Sequence, residues 1–324
     1  MKSLLAVILL LFAFCPFIKA DENRLVIGAE GNKALAIVDP ADGNKVLWSY
    51  DRNGPVHDLH LLDSNHFITQ NGGWLKIEEI GLDKKVAWKY DASKQNRSPA
   101  DSKRIEIHAF QRLADGSTMI VESGTSRIIE VDAEGKLLKE ISLEVDKPSP
   151  HSDTRLVRKL ENGHYLAAHE DMQSVKEYDA SGKVVWHYPV PLFGKKPAGG
   201  HGPEAWGGRC FSASKTKEGN YLITTGNGHS VIEVTPEKEI VWHLQQSDLK
   251  DITLAWVTNV HQLDNGNLIV GNCHAGPENP QLFEITKDKE VVWTFTDFKN
   301  FGNALANTLV IDGDRAIALR KALK

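Results

Sequence analysis

The chain has 324 residues, of which 41% are hydrophobic and 25% are charged, a composition typical of a globular protein. Its formal net charge at pH 7 is −5. We do not expect such an acidic chain to bind nucleic acid or an anionic membrane surface, because both partners require a basic patch.

Residues 1–20 predict a secretory signal peptide. Lys2 precedes an apolar run from Leu4 to Ile18, and Lys19-Ala20 follows as the predicted cleavage site. The apolar run is shorter than the roughly 20 residues that a membrane-spanning helix needs. We therefore expect an exported protein, periplasmic or extracellular, with no integral membrane segment after cleavage and a single domain over residues 21–324.

One seven-residue phrase recurs along the rest of the chain. It appears as NKVLWSY (44–50), KKVAWKY (84–90), GKVVWHY (182–188), KEIVWHL (238–244) and KEVVWTF (289–295). Alternate residues of a strand share a face, so the tryptophan and the aromatic residue two positions later point the same way. We predict an outer strand whose large residues pack between two sheets. The copy GKLLKEI (135–141) has Lys139 in place of tryptophan, which predicts looser packing there.

Hairpin turns recur with the phrase and divide the chain into units of four strands. They are Ser64-Asn65, Asp115-Gly116, Asn162-Gly163, Glu218-Gly219, Asn265-Gly266 and Asp312-Gly313. Asn-Gly and Asp-Gly between apolar runs are the strongest short hairpin signal, because both residues tolerate a positive φ. Four-stranded units of roughly 40–50 residues indicate an all-β, six-bladed β-propeller of antiparallel blades. We place the blades at 24–52 with 304–314, 56–92, 106–144, 151–190, 211–249 and 256–298.

The tail 304–314 is expected to supply the missing inner strand of the first blade and so to close the ring. Two alternatives stay open at this point. The segment from Arg315 to Arg320 also resembles a strand and would compete with Arg24–Gly28, and the long stretch 190–210 leaves room for a seventh blade.

The repeats resemble those of a known group of propellers. The phrases V-x-E-h-D-x-x-GKVVW and h-L-x-NG-N-h-L-h resemble pyrroloquinoline-quinone-type repeats, and HDLHLLDSNHF (57–67) is similar to arylsulfotransferase-type propellers. The resemblance covers almost all of the chain after residue 20 and implies a propeller fold. The sequence leaves the cofactor and any bound metal unassigned.

Strand order predicts two unlike faces. Connections between blades, and between the second and third strands, lie on one face, which we call the loop face; the hairpin turns lie on the opposite turn face. The loop face is predicted to carry His57, His108, His151, His169, His201, His229 and His274, against only His66 and His164 on the turn face. Loops on a rigid scaffold usually carry function. We therefore predict a ligand site on the loop face, with Glu170, Trp206, Asn227, Trp256 and Thr258 as further binding residues.

Alignment of the inner strands gives a sharper set at the channel entrance. His57, His108 and Arg155 occupy one equivalent position there, and together they predict a cationic pocket for an anion such as sulfate, phosphate or a uronate. Alternatively, the histidines hold water and backbone groups, and Arg155 is a salt-bridge partner. Metal ligation is a further alternative, either by His169-Glu170-Asp171 or by Cys273-His274 with His229.

These patterns favour an exported binding propeller that presents a histidine-rich funnel to a small-molecule, glycan, peptide or protein ligand. The alternative is an enzyme that uses the same funnel. In an arylsulfotransferase-like enzyme, His57 or His108 would accept a sulfuryl group while Arg155 stabilises the charge of the transferring oxygens. A metal-dependent polysaccharide lyase or hydrolase is a second version. Cys210 and Cys273 either pair or remain separate buried thiols.

Overall fold

A computed structural model describes residues 23–97 and 103–324, so the predicted signal peptide lies outside the described residues. Six four-stranded antiparallel sheets form the six blades of a β-propeller, as predicted. In the described ranges, no helix is both long enough and apolar enough to cross a bilayer.

The first three blades follow the predicted order. Blade 1 comprises β1 (Leu25–Gly28), β2 (Leu35–Asp39), β3 (Lys45–Tyr50) and β24 (Thr308–Ile311). Blade 2 comprises β4 (Leu59–Leu61), β5 (His66–Gln70), β6 (Lys76–Gly81) and β7 (Val86–Asp91). Blade 3 comprises β8 (Glu106–Arg112), β9 (Thr118–Ser123), β10 (Arg127–Val131) and β11 (Leu137–Ser142).

The second half of the ring repeats this arrangement. Blade 4 comprises β12 (Val157–Lys159), β13 (Tyr165–His169), β14 (Ser174–Tyr178) and β15 (Val184–Pro189). Blade 5 comprises β16 (Ser212–Lys215), β17 (Tyr221–Thr224), β18 (Val231–Val234) and β19 (Ile240–Leu244). Blade 6 comprises β20 (Trp256–Gln262), β21 (Leu268–Cys273), β22 (Leu282–Ile285) and β23 (Val291–Phe295). Short 3₁₀ helices cover Pro40–Asp42 and Gln246–Asp248, and α1 covers Phe298–Phe301.

The C-terminal strand closes the ring. β24 pairs antiparallel with β1, with Val26 opposite Val310, so the first blade is built from both ends of the described chain. The stretch 190–210 forms turns with an isolated bridge between Ala198 and Trp206, and it adds no seventh blade.

The segment after β24 differs from the strand alternative. Asp312 precedes helix α2 (Gly313–Ala322) instead of forming a hairpin turn. β1 already has β24 on one side and β2 on the other, so it offers no free edge to a competing strand. The helix instead packs against blade 1 through Ala316 and Leu319, both fully buried.

The repeated tryptophans pack between blades, as predicted, and each of four indoles also donates a hydrogen bond to the next blade. The indole nitrogens of Trp48, Trp88, Trp186 and Trp242 lie 2.8, 2.9, 3.0 and 2.8 Å from the carbonyl oxygens of Leu82, Ala133, Pro236 and Lys287. Each of these carbonyls belongs to the turn before the outer strand of the following blade. We call these contacts the tryptophan rim.

A glutamate on the third strand of each of blades 2 to 6 reinforces the same interfaces. Each pairs with a cation of the next blade: Glu79 with Arg112, Glu130 with Lys159, Glu177 with Lys215, Glu233 with Lys287 and Glu284 with Arg24. The recurrence of these glutamates is therefore structural.

An ion pair crosses the central channel. The two terminal nitrogens of the Arg158 guanidinium in blade 4, Nη1 and Nη2, each lie 2.8 Å from an oxygen of the buried Asp58 carboxylate, beside β4 of blade 2. The same carboxylate accepts hydrogen bonds from the backbone of Phe110 in blade 3 and the amide of Asn307 beside β24. Burial opposes ionisation of Asp58, but the charges of Arg158 and His60 outweigh it and lower the pKa. Asp58 thus ties four blades together at the axis.

Candidate functional site at the loop-face mouth

The loop-face end of the channel brings together three residues from successive blades. His57 precedes β4, His108 lies on β8 and Arg155 precedes β12. The Nδ1 atoms of His57 and His108 are 2.9 Å apart, and Arg155 Nη1 lies 3.3 and 3.5 Å from these two atoms. The alignment of inner strands therefore anticipated their proximity, whereas their roles stay predictions.

A third imidazole and an indole complete this group. The ring of His151 lies 5.6 Å from that of His108, and we call His57, His108 and His151 the imidazole cluster. Trp74, in the loop between β5 and β6, contacts all three rings edge to face at centroid distances of 4.5, 4.8 and 5.4 Å. Phe211 also contacts His57, at a ring-centroid distance of 5.4 Å. Two aromatic side chains, Trp74 and Phe211, therefore contact the imidazole cluster.

The electrostatics differ from the predicted cationic pocket. Burial, together with the positive charges of neighbouring groups, lowers the pKa of His57 well below its ordinary value. Burial also lowers the pKa of His108 to about 4, although Glu106 opposes the shift. Both imidazoles are thus uncharged at neutral pH. Because Arg155 Nε donates to the buried carboxylate of Glu170, its charge is compensated, and the site is close to electroneutral.

Glu106 is a site residue that the sequence reasoning missed. Its Oε2 atom lies 2.7 Å from His151 Nδ1 and 3.4 Å from His108 Nε2. Burial opposes ionisation, but the hydrogen bonds to the two imidazoles outweigh it and lower the pKa of Glu106. One potential ligand atom from each of the three residues lies within 4.8 Å of the others, so the group could hold a metal ion. The i, i+2 spacing of Glu106 and His108 on one strand was the available signal.

Trp74 was missed as well. It follows Asn71-Gly72-Gly73 directly after the second strand of blade 2, where strand order places loops on the loop face. The signal was therefore an aromatic residue in a glycine-rich loop. Gly72 and Gly73 have φ values of 86° and 90°, which favour glycine and allow the sharp bend that turns the indole toward the channel.

A second aromatic group lies on the same face. The ring of His201, in the long insertion, lies 4.6 Å from Trp256 and 5.3 Å from His274. Trp256 is buried at the start of β20, whereas His201 is exposed. Burial and the charge of His201 lower the pKa of His274. These three predicted binding residues are thus assembled, separately from the imidazole cluster.

The predicted metal set His169-Glu170-Asp171 is dispersed. The buried ring of His169 lies between two hydroxyls, with Nε2 2.8 Å from Tyr178 and Nδ1 3.1 Å from Thr154. Glu170 turns to Arg155, and Asp171 accepts a hydrogen bond from Ser152. Successive side chains at a strand end point in different directions, so the three do not share one ligand position.

Three further predicted residues support the insertion instead of lining the mouth. The two ring nitrogens of His229 lie 2.5 Å from the carbonyl oxygens of Ala255 and Ala205. Asn227 accepts from the backbone of Arg209 at 3.1 Å, and the Trp206 indole donates to the Leu192 carbonyl at 3.1 Å. Because a backbone carbonyl oxygen already faces each ring nitrogen of His229, neither nitrogen is free to bind a metal together with Cys273 and His274.

Thr258 and the cysteines lie below the surface of this face. Thr258 is buried on β20, and its hydroxyl has no hydrogen-bond partner in residues 23–97 and 103–324. Cys210 and Cys273 are separate, buried free thiols, and burial raises the pKa of each. Neither thiol is therefore poised for reaction at neutral pH.

A cavity of about 720 Å³ opens at the other end of the channel. It is lined by His60 and His261, among others, and by the Arg24 side chain. These groups already serve the scaffold, since Arg24 pairs with Asp312 at 2.7 Å and both imidazoles contact backbone carbonyls at 2.7 Å. We therefore place the candidate functional site at the loop-face mouth.

No family model and no curated protein matches this chain. A protein of unknown function from Bacteroides caccae has a similar structure, with a TM-score of 0.71, 22% identity, and coverage of 89% of this chain and 98% of that chain. A streptogramin B lyase is similar with a TM-score of 0.55 and 12% identity, over 86% of this chain and 85% of that one.

Virginiamycin B lyase from Staphylococcus aureus is a further structural neighbour. Its TM-score is 0.50 at 13% identity, over 76% of this chain and 71% of that chain. At these identities the likeness concerns the fold alone, and the narrower resemblance to quinone-type or arylsulfotransferase-type repeats stays a prediction. The chain is similar in fold to β-propeller proteins whose sequences differ strongly from its own.

Proposed function

We propose that the protein is an exported binding propeller whose loop-face mouth binds a glycan. The observation that supports this most directly is the contact of Trp74 and Phe211 with the imidazole cluster. Ligand sites combine aromatic walls with a few well-placed polar groups. Neutral imidazoles both donate and accept hydrogen bonds, as sugar hydroxyls do, and aromatic rings pack against the apolar faces of a sugar.

Charge favours a neutral ligand over a sulfate or phosphate. Arg155 is the cation nearest the cluster, and its charge is already balanced by buried Glu170. An anion would have to compete with that carboxylate for the guanidinium, and Glu170 would keep only its longer contact with Arg209, at 3.5 Å. A polyhydroxylated ligand needs no such exchange. The second aromatic group around His201 extends the same face for a longer oligosaccharide.

The indole of Trp74 contacts all three imidazoles, so we infer that it moves aside or closes on the ligand. Purified protein should first be screened on an array of neutral and uronate-containing oligosaccharides, and the best ligand titrated by calorimetry. Trp74→Ala and His57→Asn should each lower its affinity at least tenfold, because each removes a direct contact.

Trp88→Ala is the matched control. Trp88 is another half-buried tryptophan of blade 2, but its indole donates to the Ala133 carbonyl in the tryptophan rim. The Trp88→Ala variant should bind the glycan with unchanged affinity. Absence of any glycan ligand on the array, or equal affinity losses in all three variants, would contradict the proposal.

Catalysis is the second candidate function, and the contact between His57 and His108 favours it. An uncharged imidazole has a lone pair that can accept a proton or a sulfuryl group. In the arylsulfotransferase-like version, an imidazole nitrogen attacks the sulfur of an aryl sulfate, and the phenolate leaves. Release of 4-nitrophenol from 4-nitrophenyl sulfate, abolished in both His57→Ala and His108→Gln, would support this version over simple binding.

A further inference from the structure

We propose that Glu106, His108 and His151 bind one divalent transition-metal ion at the loop-face mouth. The carboxylate oxygen Oε2 of Glu106 faces both imidazoles, at 2.7 Å from His151 Nδ1 and 3.4 Å from His108 Nε2. Two histidines and one carboxylate are a recurring ligand set for catalytic and oxygen-binding metals. Two of the three residues lie on β8 of blade 3, and His151 comes from the connection before blade 4.

The surroundings of Glu106 leave one oxygen available. Arg104 Nη2 donates to Oε1, which fixes the carboxylate and directs Oε2 toward the imidazoles. Hydrogen bonds of this kind to a ligating carboxylate orient it for the metal. Glu106 is also only 1% exposed, so its carboxylate is held in place by the surrounding protein.

His108 has a suitable partner on its other ring nitrogen. Its Nδ1 lies 2.9 Å from His57 Nδ1. When Nε2 binds the metal, the proton resides on Nδ1 and is donated to His57, and such a second hydrogen bond fixes the tautomer and the ring orientation of a metal-bound histidine. The carbonyl oxygen of Pro150 lies 3.1 Å from the same Nε2 and is a further oxygen at the site.

Access and ligand type narrow the choice of metal. The His151 side chain is 57% exposed, so an ion can reach the site from solvent. Imidazole ligands favour Zn²⁺, Co²⁺ or Ni²⁺, whereas Mg²⁺ and Ca²⁺ prefer sets made of oxygens. The single carboxylate, already paired with Arg104, makes a hard ion still less favourable. Three protein ligands leave coordination positions that a water or a ligand hydroxyl can occupy.

The test uses tag-free full-length protein stripped with EDTA and titrated with Zn²⁺ by calorimetry and with Co²⁺ by visible absorbance. The wild type should bind one equivalent of each ion, and excess Mg²⁺ should not compete. Glu106→Gln and His151→Ala should each weaken Zn²⁺ binding at least tenfold. Far-UV circular dichroism confirms that each variant is folded.

His164→Ala provides the matched control. His164 contacts a glutamate as His151 does, with its Nδ1 2.6 Å from Glu177, but it lies in the turn after β12 on the turn face. This variant should bind Zn²⁺ like the wild type. Two results would overturn the site. One is that the wild type binds less than about 0.2 equivalents of Zn²⁺, and the other is that His164→Ala loses as much Zn²⁺ affinity as the ligand variants. The titration contains no glycan, so its failure is distinct from failure of the proposed glycan binding.

Discussion

The tryptophan rim uses one repeated contact, whereas the loop-face mouth uses different residue types at equivalent positions. At the rim, one contact is repeated around the ring, with an indole donating to the turn of the next blade at four interfaces. At the mouth, equivalent positions of successive blades carry His57, His108 and Arg155, and no residue type is used all the way round. The repeated residues therefore specify the scaffold. The residues of the inner strands that differ between repeats form the candidate ligand site.

One interface departs from the tryptophan pattern, and the neighbouring interface shows the regular arrangement. At the interface of blades 4 and 5, Trp186 stacks on Tyr221 with centroids 3.6 Å apart, and Lys215 lies on the same tyrosine ring. The interface of blades 3 and 4 has the same arrangement around Tyr165. There, however, Lys139 takes the place of the indole, with its ammonium 5.4 Å from the ring.

The largest expected effect is the loss of a rim contact. Trp186→Ala should lower the free energy of unfolding by about 3–5 kcal/mol, since a buried, stacked indole is replaced by a cavity. Urea denaturation followed by circular dichroism measures the change. Affinity for the mouth ligand should be unaffected in the folded fraction, because Trp186 lies on the outer strand. A loss below about 1 kcal/mol would show that the rim is not a main source of stability.

A second prediction concerns acid, and it separates the inner layer from the rim. His169 is fully buried behind the mouth, and burial together with the charge of Lys176 lowers its pKa from 6.5 to about 3. An unfolded histidine takes up a proton below pH 6.5, whereas the folded one stays neutral to about pH 3. The free energy of unfolding should therefore fall as the pH decreases across that window.

His169→Gln keeps a polar side chain but removes the titration. Relative to wild type, the slope of unfolding free energy against pH should decrease by up to one proton across the same interval. The carboxylates titrate identically in both proteins, so the difference isolates the imidazole. Parallel curves for the two proteins would mean that His169 titrates normally in the folded state.

The smallest expected effect restores the repeat. Lys139→Trp should stack an indole on Tyr165 and raise the free energy of unfolding by about 0.5–1.5 kcal/mol, the range for aromatic pairs. Thermal and urea unfolding of the variant test this. The reverse change, Trp186→Lys, should lower the stability of the interface of blades 4 and 5 to that of the interface of blades 3 and 4. If Lys139→Trp lowers the free energy of unfolding, the Lys139 side chain itself stabilises that interface.

The fold could be predicted because it rests on short-range, repeated signals. Turn pairs such as Asn162-Gly163 and alternating apolar residues specify each hairpin locally, and repetition fixes the number of blades. Ring closure by residues 304–314 followed from the strand that the first copy lacked. Helix α2 could not be anticipated in this way, because its formation depends on the edges of β1 being already occupied.

The candidate site was predictable only in part. The equivalence of His57, His108 and Arg155 followed from alignment of the repeats, since equivalent positions face one axis. The neutrality of the two imidazoles did not, because it depends on their burial in the folded chain. The compensation of Arg155 did not either, because it depends on the ion pair with Glu170 that only the fold forms. Glu106 and Trp74 belong to blades 3 and 2, and only folding shows that both meet His151.

The pairing of β24 with β1 has a consequence for synthesis. Val26 and Val310 are partners although nearly the whole polypeptide separates them. A nascent chain therefore holds an open arc of sheets, with β1 lacking its inner neighbour, until residues 308–311 have emerged. Because such long-range pairing forms slowly, the unfinished protein exposes a strand edge during that delay. Truncation before Thr308 would make this vulnerable intermediate permanent.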